Sequence, residues 1–191
     1  MTVACDKTIK RLIAAGMITP AVLESVSTHP RLGKIPSYGL SSAGYDVRLQ
    51  KGFKLFTRPN DGRIIDVLDF NEDDHCEYFD VEEIVIPPGG LLLGVTVETF
   101  NIPKGYIGIC VGKSTWARVG AIVNVTPLEP GWGNGELVVE ITNGTNQPLK
   151  IYSGVGIAQI VFHALDEEAD VGYGDRAGKY QGQKGITPSR L

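Results

Sequence analysis

Short apolar runs, each cut off by glycine or proline, fill the middle of this chain and limit what it can fold into. The sequence holds 24 glycines and 11 prolines in 191 residues. Between them the apolar residues are β-branched or alternate with polar ones, over stretches too short for core helices. Glu83–Ile86 ends at Pro87-Pro88-Gly89-Gly90, Leu91–Phe100 precedes the turn Pro103-Lys104-Gly105, and Tyr106–Val111 follows it. Leu149–Tyr152 and Ile157–Phe162 flank Ser153-Gly154-Val155-Gly156. The pattern predicts one mainly β, antiparallel domain over residues 1–191, of a length that can bury a real core. No internal repeat is visible.

Elsewhere the signals are more local. Asp6 reads as the N-cap of a short helix over Lys7–Ala15, with Gly16 at the C′ position. Residues 17–40, with Pro20, Pro30 and Pro36, read as irregular. In Ser41–Leu49 the residues Tyr45, Val47 and Leu49 alternate with Asp46 and Arg48, which predicts a strand with one buried face, and Gly44 predicts close backbone packing at its start. Lys51–Phe56 extends the β pattern, Asn60-Asp61-Gly62 is a turn signal, and Asp69–Glu77 reads as an acidic solvated loop. From Tyr173 to Leu191 apolar periodicity is lost, and Gly, Lys, Arg and Gln dominate.

Composition excludes several classes. A net charge of −4, with 42% hydrophobic and 21% charged residues, describes an ordinary globular protein with no global pull towards nucleic acid or an anionic membrane. No run approaches a membrane span, and the first residues carry no apolar signal region, so a cytoplasmic protein is expected. Cys5, Cys76 and Cys110 are widely separated and are expected as reduced thiols.

The chemistry concentrates between Gly112 and Asn143. Gly112-Lys113-Ser114-Thr115 follows a strand, and Thr115–Val119 is predicted as a short helix ending at Gly120. A helix start with a basic residue and two hydroxyls suits a phosphate, although the same letters also describe a capped surface helix with incidental charge. A P-loop is excluded, because the glycine it needs five residues before Gly112 is Ile107. In Glu136–Asn143 the odd positions Leu137, Val139 and Ile141 make an apolar face. Glu140 falls on the other face beside Val138, either towards solvent or in a half-buried pocket that tunes its pKa. Ser114 and Arg118, spaced i, i+4, share one helical face. A serine to hold water, an arginine to orient a carboxylate and a glutamate to take a proton form a coherent set for hydrolysis. The zinc-deaminase signature H-x-E…P-C-x-x-C is missing around His29, His75 and His163, and His75-Cys76 adjacency does not suit one ion. No histidine near Ser114 supports serine-protease chemistry.

These residues, with C-D-K-x-I near the start, S-Y-G-L-S-S-A-G-Y-D, V-G-K-S-T-x-A-R-x-G, I-V-N-V-T-P-L-E-P-G-W, V-x-E-x-x-N and the tail Y-G-D-R-A-G-K-Y-Q-G-Q-K-G-I-T-P-S-R, resemble the dCTP deaminases of the dUTPase-related superfamily along nearly the whole chain. The resemblance implies a distorted β barrel or jelly roll with a short N-terminal helix and a short helix after the phosphate loop. It implies a homotrimer with sites at subunit interfaces, and residues 173–191 as a flexible lid. Glu140 matches the catalytic glutamate, and Ser114 and Arg118 its water-positioning and charge-stabilising partners. Lys113, Ser114, Thr115, Tyr173, Lys179 and Gln183 match triphosphate-binding positions; Glu129 and Trp132 match positions around the deoxyribose and base. Magnesium is implied as carried by the substrate triphosphate, and no zinc. Bifunctional deaminase–dUTPases carry T-A-G-[FW]-I-D where this chain has the shorter T-P-L-E, which favours deamination alone. A bifunctional enzyme and a non-catalytic nucleotide-binding module stay open as alternatives.

Overall fold

A computed structural model of the chain describes residues 2–57, 62 and 64–190. It begins with β1 (Thr2–Val3), α1 (Asp6–Ala14), β2 (Ile18–Thr19), β3 (Val26–His29), β4 (Gly33–Ser41), β5 (Gly44–Arg48) and β6 (Phe53–Phe56). Two 3-10 turns follow, then β7 (Cys76–Phe79), β8 (Glu83–Ile86), β9 (Leu91–Asn101) and β10 (Tyr106–Gly112). The last elements are α2 (Ser114–Ala117), β11 (Ala121–Val123), β12 (Thr126–Leu128), β13 (Gly133–Asn143), β14 (Leu149–Tyr152) and β15 (Gly156–Ala164).

One sheet runs β12-β10-β15-β5-β4-β3, with β1 beside β15; a second runs β11-β13-β9-β6-β7, with β2 beside β9; β8 and β14 form a separate ribbon. The architecture is mainly β, as the sequence pattern predicts, and jelly-roll-like, as the family resemblance implies. An isolated antiparallel bridge, Leu49 opposite Thr96, links the two large sheets, which no continuous ladder among the described residues closes into one barrel. They share a core in which Tyr45, Leu49, Leu92, Phe100, Ile141 and Phe162 are fully buried. Such burial of whole aromatic and aliphatic side chains is the main driving force for the fold, at about 1.5–3 kcal/mol each.

Two polar contacts tie the sheets together. Buried Glu98 on β9 accepts from the backbone N–H of Arg48 at 3.1 Å and from its Nε at 2.9 Å, and the Arg48 guanidinium lies 4.4 Å from the centre of the Tyr38 ring. Burial pushes the Glu98 carboxyl above its ordinary pKa, and Arg48 opposes that shift.

Several local expectations change. The first helix starts at Asp6 with Cys5 as N-cap and no side-chain cap, so Asp6 serves as a first-turn acid rather than a cap. Gly16, at φ +93°, does close it. Residues 17–40 are not irregular: β2, β3 and β4 lie there, recruited by β9 and β5 rather than by their own periodicity. Asp69–Glu77 is only partly a solvated loop. His75 is buried against Phe70, with ring centres 5.7 Å apart, and β7 begins at Cys76. The Asn60-Asp61-Gly62 turn falls largely outside the described residues.

Gly44 meets its expectation. A Cβ there would lie 2.8 Å from the Ile160 carbonyl oxygen and 3.1 Å from the Gln159 side chain, because β5 presses directly on β15. Gly44→Ala is expected to lower stability by about 1–3 kcal/mol, as overpacking does, read from the urea midpoint; an unchanged midpoint would contradict this packing account.

Candidate active site

The two faces of β13 place the carboxylate. Leu137, Val139 and Ile141 enter the main core, while Val138 packs with Leu93 and Val95 in a second apolar cluster covered by Phe56 and Ile186. Glu140 follows Val138 on that second face. It is half-buried, and burial raises its pKa above the ordinary carboxylate value; hydrogen bonds from backbone and from the Thr126 side chain work against the shift. The half-buried alternative is the one observed: Val138 beside Glu140 on its own face and Leu93 opposite it on β9 are apolar, although Thr142 on the other side is polar.

A cavity of about 720 Å³ opens over this face. It collects Glu129, Trp132, Glu140, Tyr173, Lys179 and Gln183, all expected at the site, together with an apolar wall that includes Phe56, Phe70 and Leu93. The hairpin turn before β13 sets Trp132: its ring stacks on Phe100 with centres 6.3 Å apart, and its Nε1 donates to the Tyr180 carbonyl at 2.9 Å. Gly135 makes room for that indole, since a Cβ there would lie 2.5 Å from the Trp132 ring.

The tail lies along the same hairpin. Tyr173 N–H donates to the Pro130 carbonyl at 2.7 Å, Arg176 forms an ion pair with Glu129, and Gln183 Nε2 donates to the Glu136 carbonyl at 2.7 Å. Gly185 N–H donates to a Glu136 carboxylate oxygen at 2.7 Å. The Lys179 ammonium caps the Arg190 carbonyl at 2.6 Å.

Lys113, Ser114, Thr115 and Arg118 are not among the residues lining this cavity. Helix α2 is one turn long, shorter than the Thr115–Val119 prediction, and Gly120 follows it at φ +82°. Arg118 N–H donates to the Ser114 carbonyl at 3.1 Å, so the two side chains do sit one turn apart. Ser114, Thr115 and Arg118 are exposed. Trp116 and Lys113, three positions apart, turn the other way: buried Trp116 donates to the Gly156 carbonyl at 2.7 Å, and the Lys113 ammonium pairs with Asp46. Among the described residues no group of three or more His, Cys, Asp or Glu is placed to hold a metal ion.

Thr126 and Tyr180 also line the cavity, and neither is expected there from sequence. Thr126 stands inside the T-P-L-E motif, but only the pairing of β12 with β10, Cys110 opposite Thr126, turns it towards Glu140. Tyr180 adjoins Lys179 in a polar tail whose periodicity carries no facing information.

A family model described as dCTP deaminase-like matches residues 4–165. The chain is 47% identical over 193 residues to a dCTP deaminase of Pseudomonas fluorescens strain Pf0-1, and 47% identical over 190 residues to one of Bordetella petrii, with all of each chain covered. Among solved structures, the 2′-deoxycytidine 5′-triphosphate deaminase from Agrobacterium tumefaciens superposes with a TM-score of 0.61 at 20% identity, over 84% of this chain and 46% of that one. That likeness concerns the fold, and this chain spans about half the length of that structure.

Because burial raises the folded-state pKa of Glu140, its ionisation works against folding. Stability relative to Glu140→Gln is therefore present at acidic pH and lost as pH rises through the folded pKa. Thermal melts at acidic and neutral pH should show the Gln variant gaining on the unaltered protein as pH rises. A variant that falls behind at neutral pH would mean the carboxylate is not desolvated.

Proposed function

The chain belongs to the dCTP deaminase-like family, and on that premise we propose that Glu140 drives the hydrolysis of dCTP to dUTP and ammonia in the β13 cavity. The observation that carries this reading is a desolvated carboxylate inside a cavity that also holds an indole and a second acid, Glu129. Trp132 supplies a flat apolar surface for a base, and Glu129 an acceptor for a sugar hydroxyl.

In this reading Glu140 takes a proton from a bound water, and the hydroxide formed attacks C4 of cytosine. Glu140 passes that proton to the ring nitrogen, then takes the proton of the new C4 hydroxyl and hands it to the amine. The C4 carbonyl forms as the C–N bond breaks, so water is consumed and ammonia leaves. A raised pKa suits both roles, since a proton carrier works best when its pKa approaches the working pH. Fixing water and base together removes much of the entropic part of the barrier.

Ser114 and Arg118 complete the set as water holder and charge partner. Both are exposed and lie outside the cavity of their own chain, which supports their delivery to Glu140 by a neighbouring copy in a homotrimer. Lys113, Ser114 and Thr115 would then hold the triphosphate together with Tyr173, Lys179 and Gln183, closed over by residues 173–191. The substrate is taken as the magnesium complex of dCTP. The described residues include no helix long and apolar enough to cross a membrane, and we place the activity in the cytoplasm.

Purified protein given dCTP and magnesium is expected to release ammonia and dUTP, resolved by chromatography. Glu140→Gln should lower kcat by roughly 10²- to 10⁴-fold while dCTP binding persists. Release of dUMP and pyrophosphate would instead identify a bifunctional enzyme, and absence of ammonia at saturating dCTP would identify a nucleotide-binding module.

A further inference from the structure

The stretch of tail that carries Tyr173, Lys179 and Gln183 is pinned to the hairpin at both ends. At the first end the Tyr173 N–H donates to the Pro130 carbonyl at 2.7 Å. At the second the Gly185 N–H donates to one Glu136 carboxylate oxygen at 2.7 Å, and the Lys184 ammonium lies 3.9 Å from the other. The first pin joins two main chains and is indifferent to side chains. The second depends on a single carboxylate, on β13 four residues before Glu140.

Strand pairing explains why Glu136 meets the tail. β9 runs along one edge of β13, while β11 covers the other edge only at Ile141–Asn143. At Glu136 the tail takes that second edge. The Glu136 N–H donates to the Gln183 carbonyl at 3.0 Å, and the Gln183 side-chain amide donates to the Glu136 carbonyl at 2.7 Å. Just before it, Gly182 N–H donates to the Gly133 carbonyl at 3.1 Å, and Gly133 N–H to Gln181 Oε1 at 3.2 Å. The tail thus lies on β13 like a short added strand, satisfying main-chain groups that a free edge leaves open.

Glu136 does not line the cavity, so whatever it contributes there runs through the tail. The residues just after the pin do reach the cavity. Ile186 packs on the Val138 cluster, and Thr187, Pro188 and Ser189 stand in the cavity wall. A backbone N–H bound to a carboxylate makes a bond about twice as strong as a neutral one, so this contact outweighs any single neutral one beside it. We infer that Glu136 is a positioning residue, whose carboxylate holds Gly185 against β13 and thereby seats Lys179, Gln183 and the last residues over the cavity. The inference rests on the deaminase reading for what the seated tail does, whereas the pin itself is independent of it.

Trypsin cuts after lysine, and the Lys184–Gly185 bond carries the pinned N–H. Glu136→Ala should speed cleavage at that bond by roughly tenfold, since cutting follows the open population. Cleavage at basic residues outside the tail should stay unchanged. Glu136→Gln keeps an acceptor oxygen and should behave like the unaltered protein. In the Glu140→Gln background, Glu136→Ala should weaken dCTP binding by roughly tenfold in titration calorimetry. With Glu140 intact it should raise KM more than it lowers kcat.

Unchanged cleavage at Lys184–Gly185 in Glu136→Ala, or an equal rise throughout the chain, would overturn the inference. So would unaltered dCTP affinity when the unaltered protein releases ammonia. Should Glu136→Ala fail to fold, Gly185→Ala tests the pin from the tail's side. Gly185 sits at φ +66° and a Cβ there meets nothing within 4 Å, so the variant strains only the left-handed backbone. It should open the same bond, and unchanged cleavage would again overturn the inference. Absence of ammonia release by the unaltered protein would count against the deaminase reading and leave the cleavage result standing.

Discussion

Desolvation of the Glu140 carboxylate is the interaction on which the site depends, and much of the fold serves to bring it about. A glutamate on a free strand would point into water and keep an ordinary pKa. Here β13 is a central strand of its sheet, paired with β9 along most of its length and with β11 on the other side. One of its faces is locked into the main core by Leu137, Val139 and Ile141. That leaves Glu140 no choice of direction, because a one-residue slip would bury the carboxylate in the core and expose three large side chains. The opposite face is itself roofed by Phe56, Leu93 and Ile186 around Val138. The acid is therefore held in a partly dry setting by ordinary strand packing, with no special backbone device.

The second half of the chemistry is organised by an opposite rule. Helix α2 turns its anchoring residues inward and its hydroxyls and arginine outward, so its reactive groups are displayed rather than enclosed. One chain thus carries an enclosed acid and, separately, an exposed serine and arginine, which in the proposed reaction hold water and charge. The tail belongs to the enclosed half: its contacts with Pro130, Glu129 and Glu136 follow the hairpin that carries Trp132. In the proposed homotrimer the same two surfaces would meet at every contact and join such halves without either being remade.

How much of this was legible in the sequence varied with the range of the interaction involved. β9, β10, β13 and β15 could be read directly, since each carries long apolar or alternating runs and their turns hold glycine or proline. β3 and β4 could not, because Pro36 and Gly39 interrupt their pattern and their pairing is set by β5. Asp46 reads as the polar side of a half-buried strand, yet it is buried, paired with Lys113 from 67 residues away. Sequence spacing is silent about such a pair. For the site, the i, i+4 relation of Ser114 and Arg118 and the facing of Glu140 followed from helix and strand periods alone. The shared cavity of Glu129, Trp132 and the tail did not, since it depends on how a polar segment without periodicity folds back.

The central claim, that one copy supplies the desolvated base and another the water-and-charge unit, is tested most directly by mixing two inactive proteins. Glu140→Ala and Arg118→Ala chains, co-expressed in equal amounts and purified together, are predicted to recover dCTP deamination. Random assembly of a symmetric oligomer restores about one quarter of the sites. Activity no higher than that of either variant alone, in mixtures shown by mass spectrometry to contain both chains in one assembly, would contradict the account.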